Sequence, residues 1–146
     1  MQGKATFRGH PLHLMFVSFP VAAWTGAVAT DLAGARSVDP FWYRMSVTLI
    51  AAGIATGALA AVFGYVDYRT VPMTRRAKRI ATAHFVASLL TLAVYVAALV
   101  IRDSDAASFG GIALSYVGAA LLFAGGYWGS ELANRFHVGI SNEIER

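Results

Sequence analysis

The chain has 146 residues, 57% of them hydrophobic and 14% charged, with a mean hydropathy of +0.55. A soluble domain carries about 25% charged residues, so this composition excludes an ordinary soluble fold and points to a lipid bilayer. There is no cysteine, which excludes disulfides, thiolate zinc sites and iron–sulfur clusters ligated by this chain, and the formal net charge is +4.

Four segments reach the roughly 20 apolar residues needed to cross a hydrocarbon core. They run approximately over residues 12–32, 41–66, 80–101 and 109–132. With short connections between neighbours they predict an all-α, transmembrane, antiparallel four-helix bundle, one domain over residues 1–146. The first span opens in "RGHPLHLMFVSFP", with His10 and His13 at its threshold and Pro11 suited to the first helical position. The run is longer than a signal-peptide core and lacks a small-residue cleavage site after it, so it is expected to stay in the mature protein. Gly34 and Pro40 are expected to end the first helix in "DLAGARSVDP", where Asp31, Arg36 and Asp39 would meet water. Pro20 lies inside this span and is expected to free a backbone carbonyl.

The second span closes on "YVDYRTVPMTRRAKR", which carries Asp67, Pro72 and a run of cations. The third places His84 near its start, and His84, Ser88, Thr91 and Tyr95 recur at i, i+4, i+7 and i+11 on one helical face. That face is expected to look inward, either as a site or simply to hydrogen-bond neighbouring helices. "RDSDAASFGG" supplies a turn and an N-cap for the fourth span. Glu131 lies in the last turns of that span, placed to pair with Arg135, and His137 follows its end.

Cations fix the expected orientation. The N-terminus, the second loop and the C-terminus hold Lys4, Arg8, Arg69, Arg75, Arg76, Lys78, Arg79, Arg135 and Arg146, against Arg36, Arg44 and Arg102 on the other side. By the positive-inside rule both termini are expected in the cytoplasm. The "RRAKR" run reads as this topology signal with attraction to anionic lipid, not as a nucleic-acid surface, so the bilayer is the expected partner. All four histidines then belong to the cytoplasmic end, together with Asp67 and Glu131. Glycines at 53, 57 and 64 and at 111, 118, 125 and 129 allow close helix approach. A cofactor pocket is therefore expected at the histidine end, with Phe16, Phe19, Trp24, Phe85, Tyr127 and Trp128 as bulk.

Three functions fit these residues. Two histidines on facing helices, His13 and His84 as the expected ligands, would hold a b-type haem for electron transfer to a redox partner protein. Alternatively His10, His13, His84 and His137, with Asp67 or Glu131 as carboxylates behind them, would bind zinc or iron. In the third reading the polar cluster ties together the helices of a structural or accessory membrane subunit whose function resides in a partner; a homo-oligomer is a further assembly open to it. No nucleophile–histidine–acid spacing or phosphate loop is present, and whether the chain is an enzyme stays open.

"GHPLHLMFVSFPVA", "GYVDY", the early His84 and "GGYWGSELANRFHVGI", in this order, resemble the small bacterial membrane proteins grouped as domain of unknown function 2231. The resemblance covers Gly9 to Ile140. It implies four spans in a bacterial cytoplasmic (inner) membrane and family histidines at His10, His13, His84 and His137, with Asp67 and Glu131 beside them. It implies no reaction.

Overall fold

The computed structural model describes residues 5–8, 10–37 and 39–138. Two short strands, β1 (Thr6–Phe7) and β2 (His10–Pro11), pair antiparallel ahead of four helices: α1 (Leu12–Ser37), α2 (Pro40–Thr70), α3 (Arg75–Val100) and α4 (Phe109–Phe136). All four are long and apolar enough to cross a membrane. Large apolar side chains such as Val62, Phe109 and Phe123 stand exposed along them, the pattern expected where lipid replaces water as solvent. The expected all-α bundle is the fold observed.

The helix ends differ from the sequence reading in ways that matter for the site. Pro11 pairs in β2 and the helix begins at Leu12. α1 runs through Pro20 and Gly34 to Ser37, so its last polar residues are helical and Asp31 is buried instead of meeting water. Asp39 caps α2 by accepting from the Phe41 amide, with Pro40 supplying a preset φ in the first turn. Thr74 caps α3, accepting from the Ala77 amide. The arginine-rich stretch is thus the first turn of the helix, and His84 lies nearly three turns in. Ser108 caps α4 through the Gly111 amide.

α1 packs chiefly along α2 and α3 along α4, while lighter α2–α3 and α1–α4 contacts close the ring. Two hairpins therefore face each other, with α1 diagonal to α3. On that diagonal the Trp24 indole stacks on the Tyr95 ring at 4.4 Å and 7°, in a core that includes Ala27 and Ile50. Each ring also reaches its own hairpin partner: Trp24 Nε1 donates to the Ile50 carbonyl and Tyr95 OH to that of Ser115. Glycine makes this possible, because a Cβ at Gly53 would overlap the indole and one at Gly118 would stand 2.7 Å from Tyr95 Cε2. Gly53→Ala is accordingly expected to cost about 1–3 kcal/mol by overpacking. Gly126→Ala, where the added carbon meets nothing within 4 Å, is expected to be neutral. Thermal unfolding in detergent, followed by circular dichroism, checks the contrast.

Candidate histidine site

His13, in the first turn of α1, places Nδ1 2.8 Å from the carbonyl of Ala60 on α2. His84, on α3, places Nδ1 2.8 Å from the carbonyl of Gly125 on α4. A carbonyl only accepts, so in each ring Nδ1 carries a proton, and in the neutral form of the ring the lone pair is then on Nε2. Among the described residues neither Nε2 has a hydrogen-bond partner. One turn beyond each carbonyl is a glycine on which the imidazole lies. A Cβ at Gly64 would come 2.9 Å from His13 Nδ1, and one at Gly129 3.0 Å from His84 Cε1.

The two rings meet across the hairpin boundary, centre to centre at 6.0 Å and 79°. Both line a largely apolar cavity of about 340 Å³ that is also walled by Pro11, Asp67, Tyr68 and Phe85. The pocket lies at the end of the bundle that carries the histidines, with Gly64 and Gly129 among its walls beside Tyr68 and Phe85.

The remaining candidates lie around this pair without joining it. His10 is exposed in β2. His137 is exposed at the C-cap of α4, in the left-handed region with φ 50°. Asp67, half-buried, accepts from the Ala5 amide at 3.3 Å and so fastens the N-terminal strand pair to α2. Glu131 pairs with Arg135 at 3.2 Å. The Nδ1 protons that either carboxylate was expected to hold go to main-chain carbonyls. The face of α3 does look inward, Thr91 and Tyr95 being fully buried. Its hydroxyls at Ser88 and Thr91 bond back to carbonyls of their own helix, however, and only Tyr95 bridges to a neighbour. Of the expected bulky aromatics, Phe85 lines the cavity, Phe19 and Tyr127 point outward, and Trp24 belongs to the mid-bundle stack.

Sequence reading missed two features. The first is an internal repeat. His13 and His84, Trp24 and Tyr95, Ala27 and Ala98, and Asp31 and Arg102 are each 71 residues apart. On the second helix of each hairpin Ile50 and Ser115, Gly53 and Gly118, Ala60 and Gly125, and Gly64 and Gly129 are each 65 apart. Matched positions make matched contacts, so an approximate two-fold axis along the bundle relates the hairpins. The glycine spacing, identical at 53, 64 and 118, 129, was the available signal. The second feature is the axial pair at the far end. Arg102 grips Asp31 with both terminal nitrogens, at 2.8 and 2.6 Å, with side chains 2% and 1% exposed.

Chemically, the site offers two imidazoles in a largely apolar setting whose Nε2 atoms have no hydrogen-bond partner among the described residues. A bare structural or catalytic metal ion usually takes three or four protein ligands. Among the described residues no group of three or more His, Cys, Asp or Glu is placed to hold one. A haem iron needs only its two axial ligands from the protein.

No curated protein and no solved structure matches this chain. A protein family described as predicted membrane protein, DUF2231, matches residues 9–142. That match takes in nearly the whole chain, both histidine half-sites and all four apolar helices, and the protein belongs to the DUF2231 family of membrane proteins.

Proposed function

We propose that this integral membrane protein binds a b-type haem between its two hairpins, with His13 and His84 as axial ligands through Nε2, and serves in electron transfer. The observation that carries the reading is the paired anchoring of the imidazoles: each donates Nδ1–H to a backbone carbonyl beside one cavity, and among the described residues neither Nε2 has a hydrogen-bond partner. Ligating histidines commonly donate their other N–H in this way, which fixes the tautomer and raises the basicity of the ligand nitrogen. Carbonyls of helix backbone make the anchoring rigid, so each ring is oriented before a ligand arrives. Haem supplies one-electron chemistry; the protein supplies the ligands, the apolar walls that exclude water, and the tuning that follows from burial.

The site is read as lying at the cytoplasmic face of a bacterial inner membrane, with both termini inside, on the nine to three asymmetry of cations. A redox protein on that side is the expected partner. Thiol labelling in intact cells tests the orientation: a cysteine placed at Ser104 is expected to react with an impermeant reagent, and one at Thr74 to stay protected. Reaction at Thr74 alone reverses the assignment.

An absorption spectrum of the detergent-purified protein, oxidised and reduced, with elemental analysis of the same sample, tests the ligand. Bis-imidazole ligation gives a Soret band and sharp reduced bands with iron near unit ratio. Absence of a Soret band, after growth with iron and haem precursor or after addition of hemin, refutes the haem reading.

A further inference from the structure

The histidine rings face each other across the hairpin boundary, but neither hydrogen-bonds across it. His13 bonds within the first hairpin and His84 within the second. The same holds in mid-bundle, where Trp24 and Tyr95 each bond inside their own hairpin and merely stack across the axis. Three polar contacts cross the boundary at the surface or near it: Arg44 to Asp105, Tyr68 to Thr82 and Lys78 to the Tyr68 carbonyl. Among the described residues, the hydrogen bonds that cross it with both side chains buried all come from Arg102.

Arg102 follows the C-cap of α3 and turns into the bundle. Its two terminal nitrogens hold both oxygens of Asp31 on α1, and also the Ser46 hydroxyl on α2 at 3.1 Å, the Ser115 hydroxyl on α4 at 2.8 Å and the Gly111 carbonyl at 3.2 Å. One side chain therefore engages all three other helices. Gly111 leaves the room, since a Cβ there would stand 2.5 Å from Arg102 Cγ. Only Nε is buried without a partner.

We infer that Asp31 and Arg102 are positioning residues for the histidine pair, a lock that sets how far and at what angle one hairpin sits against the other. The ligand-based half of this inference rests on the haem reading; the lock itself does not. The reason is a contrast in directionality. Apart from those peripheral polar contacts, the interface is largely alanine, glycine and stacked rings, whose packing in lipid has no hydrophobic drive behind it and tolerates sliding. A bidentate guanidinium–carboxylate pair has one geometry. It sits 18 residues along α1 from His13, about 27 Å at 1.5 Å per residue, and rigid helices carry its register to the imidazoles. Because 31 and 102 are matched positions of the repeat, the lock lies on the same axis as the site. Acid in one half and base in the other make each hairpin complementary to its partner and repulsive to its own copy.

The test replaces the pair by apolar side chains, Asp31→Leu with Arg102→Met, so that no lone charge stays buried. The chain has no native cysteine, so nitroxides at Met15→Cys on α1 and Val86→Cys on α3, both exposed, report the distance between hairpins at the histidine end. A narrow distribution is expected in the parent. In the double variant a shift or spread of roughly one helical turn, about 5 Å, is expected while helical content is kept. Haem uptake at limiting hemin is expected to fall about 10-fold, the scale seen when groups behind metal ligands are lost. Arg102→Lys, which keeps the charge and loses the fork, serves if the double variant does not accumulate, and is expected to broaden the distribution as well. An unchanged distance distribution in the variant overturns the lock. A parent that takes up no haem, with a distribution that still responds to the substitutions, removes the haem reading and leaves the lock standing.

Discussion

His84→Ala is expected to abolish haem retention, and His13→Ala to do the same. On the proposed haem reading each imidazole would supply one of the two ligands; each is anchored through Nδ1 to a carbonyl of its own hairpin, and no third histidine lines the cavity to take its place. The lost side chain also leaves its glycine facing empty space, Gly129 for His84 and Gly64 for His13. Mispacking at one ring would therefore add to the loss of a ligand on that reading. The two effects are expected to be equal within a few-fold, because the repeat makes the half-sites equivalent. His10→Ala and His137→Ala touch exposed residues at the edge of the bundle and are expected to leave occupancy within about twofold of the parent. Haem content per protein after purification, with circular dichroism to confirm folding, is the measurement. Retention by either single variant at the parental level removes that histidine from the site. Acid should mimic the substitutions, since imidazolium has no lone pair to give.

Much of this arrangement was legible in the sequence, for a physical reason. A bilayer demands uninterrupted apolar runs, so four spans and their depth can be read directly, and with them the shared level of the histidines. The inward face of α3 followed from the 3.6-residue period of His84, Ser88, Thr91 and Tyr95. Azimuth was harder. Asp67 and Glu131 lie at the expected end, yet one turns to the Ala5 amide and the other to Arg135, and no periodicity of an all-apolar helix says which way its few polar groups face. Helix ends were misread where capping outweighs apolarity: Thr74 starts α3 through five residues that include Arg75, Arg76, Lys78 and Arg79, and α1 continues past Gly34 to Ser37. The second error hid Asp31. Placed at the water-facing end of a span it looks hydrated; carried inside a longer helix it is buried and needs a cation, which Arg102 provides.

Arg102→Met alone is expected to be the most destabilising single change in the protein outside the histidines. It removes the guanidinium and leaves the Asp31 carboxylate, 1% exposed, with no countercharge at its side and Ser46 and Ser115 without their donor. Breaking a buried pair from one side costs about 3–5 kcal/mol, because an uncompensated charge stays in a low-dielectric interior. For a chain of this length that is a fall on the order of 10 °C in thermal midpoint. Asp31→Leu alone strands the arginine instead and is expected to cost a similar amount, eased by the hydroxyls and the Gly111 carbonyl that still accept from it. The combined Asp31→Leu and Arg102→Met chain removes both charges and is expected to regain most of the loss, since apolar replacements of a buried pair are often neutral. Thermal unfolding of the four proteins in one detergent closes this cycle. A coupling near zero, with the double variant as unstable as the two singles summed, would mean that the pair contributes only through packing, whereas recovery of stability without recovery of haem uptake separates holding the hairpins together from holding them in register.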